Sequence, residues 1–147
     1  MAINSKTRLE ALFPQLSSSS YQIKSPATPQ YNCIAWAAEE DDRWWEPVPV
    51  PGYYWPRRIP REVTLASLTM LFQRLGYRPG ADETLEAGCE KIAIYADFSG
   101  APTHVARQLA NGKWTSKIGT LEDIEHDLEG LTLSDYGTVA QIMKRSA

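Results

Sequence analysis

The sequence predicts an α+β fold, because helical and strand periodicities are largely segregated along the chain. Apolar residues at helical spacing mark three segments before Gly76, and period-two alternation begins only at Ile92. The turn sequence Asn111-Gly112 then joins two alternating runs, which makes the sheet antiparallel there.

In chain order, Ser5–Phe13 places Leu9, Leu12 and Phe13 at helical spacing, with Asn4 or Ser5 as the cap. Ser17–Ser20 read as a flexible connector. Pro26 and Pro29 hold the next stretch extended, since each disfavours helix at the residue before it. Asn32 is a good N-cap for a helix continuing over Ile34–Glu39. The acidic run Glu39–Asp42 ends it, because carboxylates oppose the dipole at a helix carboxyl end. From Trp44 to Pro60 the chain carries Pro47, Pro49, Pro51, Pro56 and Pro60, a density that excludes a regular helix or central strand. Thr64 caps a helix over Leu65–Leu75, with Leu65, Leu68, Leu71, Phe72 and Leu75 on one face, and Gly76 stops it. Strands are expected over Ile92–Ala96, Thr103–Leu109, Lys113–Ile118 and Tyr136–Met143, with a helix over Leu121–Leu128.

A chain of 147 residues is expected to form one domain, in which residues 44–80 are an aromatic, proline-rich insert plus a helix. Net charge is −3, so there is no basic excess to neutralise phosphates and nucleic acid is not expected as a partner. No run of about 18 apolar residues exists, which excludes a helical membrane span. Met1–Phe13 lacks an apolar stretch of signal-peptide length, and two cysteines are too few for a disulfide framework. The expectation is a cytoplasmic protein with reduced thiols, although delivery without a leader leaves no trace in sequence.

The chemistry-bearing residues are Cys33 and His104. Cys33 directly follows the capping candidate Asn32, where unpaired amides and the helix dipole favour the thiolate. His104 opens a strand directly after the loop Ser99-Gly100-Ala101-Pro102. A thiol nucleophile needs a base within hydrogen-bond reach, and the base needs an orienting group. Two orienting candidates follow from strand register. If Asn111-Gly112 is a strict two-residue turn, Leu109 pairs with Trp114 and Ser116 faces away from His104. If Ala110-Asn111-Gly112 is a three-residue loop with Gly112 left-handed, Leu109 pairs with Lys113 and Ser116 becomes a diagonal neighbour of His104. Asp97, ending the preceding strand, competes and carries the charge that best stabilises an imidazolium.

Thr103–Ser116 resembles the histidine hairpin of NlpC-like papain-fold peptidases: a strand histidine, an Asn-Gly type turn, and a polar residue twelve positions on, here Ser116. Gly88–Phe98 resembles the strand leading into that hairpin, and Gln30–Ala37 the start of the nucleophile helix. Ser116 stands where the family usually has histidine, asparagine or glutamine, and the Trp44–Gly80 insert is no part of its motif. The resemblance implies a papain-like, NlpC-type arrangement, with the nucleophile helix packed on a small antiparallel sheet. It implies a cysteine peptidase or amidase acting through a thioester, with Cys33 attacking, His104 as base and Ser116 orienting it. An oxyanion would be held by the Cys33 amide and by Tyr31 or Gln30, and the substrate would be a peptide or peptidoglycan-like amide.

No cofactor is expected. A zinc site built from Cys33, Cys89, His104 and His126 lacks any paired ligand spacing. Cys89 reads as packing, and His126 as a surface residue in the middle of its helix. Trp44, Trp45, Tyr53, Tyr54 and Trp55 read mainly as core cover, with one or two, such as Trp55, touching substrate. The rival readings are a papain-like interaction module that has lost catalysis and binds a protein partner, or a thiol acyltransferase or deamidase using the same thioester.

Overall fold

The computed structural model describes residues 4–147. Helix α1 (Ser5–Leu12) begins where the Asn4 side chain accepts a bond from the Thr7 N–H at 2.8 Å. A short 3-10 helix, Pro14–Ser18, follows in place of the expected flexible serine connector. Next come β1 (Gln22–Ser25), α2 (Cys33–Ala37), α3 (Leu65–Arg74) and β2 (Arg78–Pro79). The rest of the chain is β3 (Cys89–Ala96), β4 (Pro102–Gln108), β5 (Trp114–Lys117), β6 (Asp123–His126), a 3-10 helix over Leu128–Leu131 and β7 (Thr138–Ser146). All seven strands join one antiparallel sheet in the order β1-β6-β5-β4-β3-β7-β2. The fold class is therefore α+β. Among the described residues no helix is long and apolar enough to cross a membrane.

The helix expected over Leu121–Leu128 does not form. Ile118 and Leu121 close a tight turn instead, with Leu121 N–H donating to Ile118 O at 2.7 Å, and the chain returns along β5 as strand β6. β6 is paired on both sides, to β5 and to β1, so sheet contacts outweigh its local helical pattern. β1 itself was not apparent from the sequence, because an edge strand with three exposed residues has no apolar face to announce it.

The sheet separates two cores. On one face α2 and α3 bury Ile34, Ala35, Leu68, Leu71 and Phe72 against Ile92, Ile94, Val105 and Met143. On the other, α1 and the 3-10 helices bury Leu9, Leu16, Leu128 and Leu131 against Ala93, Tyr95, Ala106, Trp114 and Ile124. Strand alternation assigns each β residue to one face or the other. The proline-rich segment between α2 and α3 forms a single bridge, Trp45 to Tyr54, and its Trp45 and Trp55 are buried in the first core.

Candidate functional site

Asn32 positions the nucleophile candidate. Its backbone is extended and its side-chain oxygen accepts the Ala35 N–H at 3.2 Å, which caps α2. The same oxygen accepts the Trp45 N–H at 3.1 Å, while its amide nitrogen donates to the Trp45 carbonyl at 2.6 Å. One buried side chain thus caps the helix and fastens the aromatic segment to it. Lys117 secures the chain upstream: its fully buried ammonium donates to the carbonyls of Thr28 at 2.7 Å and Gly119 at 2.6 Å, and lies 4.9 Å from the Tyr31 ring centroid. Burial holds the Lys117 pKa below that of a free lysine.

Cys33 is half-buried at the first turn of α2 and packs with the first core. Burial pushes its thiol up to about 11, and the nearby Glu46 carboxylate works in the same direction. The backbone N–H groups of Val105, Ile34 and Cys33 itself oppose this by favouring the thiolate, without overcoming burial. Val105 is free to point there because the β4–β5 ladder is confined to Arg107↔Thr115 and Gln108↔Trp114.

His104 lies on the other face of the sheet. It pairs with Tyr95, whose side chain belongs to the second core, and its ring stacks on Tyr136 with centroids 4.3 Å apart and planes at 12°. Tyr95 meets it edge-on at 5.5 Å. The residue is 2% exposed, yet neither ring nitrogen has a hydrogen-bond partner among the described residues. Burial, reinforced by nearby His126, holds its pKa well below the usual imidazole value, so the ring is neutral. No hydrogen bond joins it to Cys33. The two residues nevertheless line one cavity of about 80 Å³, closed by Asn32, Ile34 and Leu68 with Pro102–Val105 and with Glu46, Pro47 and Val63 from the segment between α2 and α3. They reach it where the β4–β5 ladder stops and where a bulge interrupts β3–β4 pairing beside His104.

The remaining predicted residues stand elsewhere. The hairpin has the three-residue loop, with Leu109 N–H donating to Lys113 O at 2.7 Å and Gly112 at φ +88°. Ser116, however, is not bonded to His104. Its hydroxyl lies 2.7 Å from His126 Nε2, and His126 Nδ1 lies 2.7 Å from the Asp127 carbonyl. A carbonyl only accepts, so Nδ1 carries the proton and Nε2 accepts from Ser116. Asp97 also misses His104: its carboxylate accepts from Ser99 N–H, Ser99 hydroxyl and Ala101 N–H, closing the β3–β4 turn. Gln30 donates to the Asp41 carbonyl at 3.1 Å and does not line the Cys33 cavity. Tyr31 is core, tilted against Trp36 with centroids 5.4 Å apart. Trp55 is core too, its indole N–H directed at the Ile59 and Pro60 carbonyls at 3.2 Å each. The oxyanion and orienting roles expected of these side chains therefore have no counterpart in the geometry.

The surroundings of three further residues had no signal in the sequence. His126 is fully buried in β6 and not exposed on a helix, because the segment is a central strand. Lys117 lies on the opposite side of its strand from Ser116, as alternation requires, but its burial beside the α2 approach had no sequence signal. Glu46 on the cavity wall lies in the irregular segment, where periodicity says nothing. No curated protein and no solved structure matches the chain. A family model described as a domain of unknown function (DUF7689) matches residues 22–144, which span every element from β1 into β7, and the chain belongs to that family.

Proposed function

We propose that the protein is a cysteine hydrolase of papain-like design that cleaves an amide bond through a thioester on Cys33. The observation that carries this reading is His104. A fully buried imidazole with both nitrogens unpartnered costs about 1–3 kcal/mol for each unmet group, and it lines the same small cavity as a cysteine at a capped helix start. Native proteins rarely leave such groups unmet without a use for them.

The protonation states suit general-base attack. The thiol holds its proton and the imidazole is neutral, so His104 can accept the Cys33 proton as sulfur attacks the carbonyl carbon. The same proton passes to the leaving amine as the C–N bond breaks. A water then attacks the thioester, His104 takes its proton and passes it to the Cys33 sulfur as the C–S bond breaks, and the carboxylic acid product departs. The amides of Cys33, Ile34 and Val105 surround the sulfur and are the donors nearest to a developing oxyanion. No hydrogen bond joins the pair, so the imidazole must first approach the sulfur, and the 80 Å³ cavity must widen to admit a peptide group.

The test is the rate of iodoacetamide alkylation across pH, read separately at Cys33 and Cys89 by mass spectrometry, in wild type and His104→Phe. Phenylalanine keeps the aromatic stack and removes the base. A working pair predicts roughly a 100-fold loss of Cys33 reactivity at neutral pH, the lower range for removing a positioned base, with Cys89 unchanged. Equal Cys33 rates in both proteins would end the enzyme reading and leave a binding module.

A further inference from the structure

The wall of the Cys33 cavity is mostly apolar, formed by Pro47, Val63, Leu68 and Pro102, and carries one acidic side chain, Glu46. Glu46 is held in place by the aromatic segment. Its N–H donates to the Tyr54 carbonyl at 3.1 Å, the Tyr54 N–H returns a bond to the Trp44 carbonyl at 2.8 Å, and the Trp44 indole donates to Glu46 Oε1 at 3.2 Å. Trp44 is in turn stacked on Tyr53 with centroids 6.2 Å apart. Among the described residues, no lysine, arginine or histidine forms an ion pair with Glu46. A half-buried carboxylate held by one indole bond, on a backbone fixed by the Trp45–Tyr54 bridge, lining a cavity and lacking a cation, is a site prepared for one.

We propose that Glu46 is the specificity residue of the Cys33 cavity and selects amide substrates carrying an ammonium group, a free amino terminus or a lysine-type side chain, next to the scissile bond. This rests on the hydrolase reading above. It gives the proline-rich segment a role, since that segment's single bridge and its indole together set the carboxylate. It also couples binding to activation. Glu46 disfavours the Cys33 thiolate, and an arriving ammonium would neutralise that field and ease the proton away from sulfur. An anionic substrate group would meet repulsion from the same carboxylate in a poorly solvated pocket.

Two methanethiosulfonates of similar size, one bearing an ammonium and one a sulfonate, test the assignment without any substrate. Their rates at Cys33 are compared in wild type and Glu46→Gln, with Cys89 as internal standard because its neighbour Glu86 is untouched by the substitution. The expected ammonium preference at Cys33 is about tenfold or more at low salt, falling by about that factor in Glu46→Gln while the ratio at Cys89 stays fixed. An unchanged ratio at Cys33 would overturn the assignment. If the variant fails to fold, wild type alone decides: the preference must shrink steadily as salt rises, and a ratio near one at low salt overturns the proposal. Because His104 is neutral, these ratios do not depend on it, so a failure here leaves the alkylation test of His104→Phe standing on its own.

Discussion

The molecule holds two buried histidines, and they are opposites. His126, in the middle of the sheet's second face, has both nitrogens engaged: Nδ1 donates to the Asp127 carbonyl and Nε2 accepts from Ser116. His104, on the same face but at the broken end of the β4–β5 ladder, has neither engaged. Each ring is almost fully enclosed. A satisfied buried histidine fixes its surroundings and asks nothing further of them. An unsatisfied one keeps a base in reserve at a cost in stability, which is a trade found at functional sites and seldom in cores.

The sharpest challenge to this contrast is acid. Burial pushes His126 from the usual 6.5 down to about 4, and His104 also lies well below 6.5. Between those values the unfolded chain binds protons that the folded chain refuses, so stability is whole above about pH 6.5 and falls as the pH drops. His126 alone accounts for about 3 kcal/mol by the time pH reaches its folded value, and His104 adds to the loss in the same direction. Urea denaturation at pH 7, 5.5 and 4.5 should show a midpoint that falls throughout. A flat midpoint across this range would mean that one or both rings are solvated and titrate normally.

Substitution separates the two rings. His126→Phe removes two good hydrogen bonds and leaves the Ser116 hydroxyl and the Asp127 carbonyl without partners. A loss of about 2–3 kcal/mol in the denaturation free energy at pH 7 is expected. His104→Phe removes two polar atoms that had no partners and keeps the stacking on Tyr136 and Tyr95, so it should stabilise the fold by about 1 kcal/mol or more. Each variant should also lose its own share of the acid sensitivity. Equal destabilisation by both would show that His104 is as structural as His126, and the reserve-base argument would go with it.

The difference between the two rings was only half legible in the sequence. Caps and stops read well because they are local: Asn4, Asn32 and Thr64 each accept the N–H three residues on, and Gly76 sits at φ +96° after α3. The hairpin register was legible only as two alternatives, and the structure has the three-residue loop with Gly112 left-handed. What a long-range partner decides did not read. β6 looked helical because its pairing with β1 and β5 is invisible in a window of eight residues, and with that error His126 was placed in solvent and Ser116 was assigned to the wrong histidine. Strand alternation around Asn111-Gly112 correctly singled out Thr103–Ser116 as a β-hairpin, but alternation does not say which face each side chain takes once a bulge intervenes at Tyr95–Ala96. Glu46 was silent because irregular backbone has no period to read.

The smallest expected effect concerns the hairpin that keeps the two histidines distinct. Gly112 has φ +88°, and a Cβ added there would meet only the Leu85 side chain at 3.9 Å, an ordinary contact. Gly112→Ala should therefore cost about 1 kcal/mol, the conformational cost of a left-handed residue with a side chain, and leave Cys33 reactivity unchanged. The register is held independently by Thr115, whose hydroxyl accepts the Trp36 indole N–H at 2.9 Å, and by Ser116 with His126. A slip of one residue would turn Thr115 away from α2 and Ser116 away from His126 together, so it is opposed on both faces of the sheet. If Gly112→Ala instead cost several kcal/mol and altered the alkylation of Cys33, the loop and not these two anchors would be setting the register, and the contrast between the histidines would rest on a single turn.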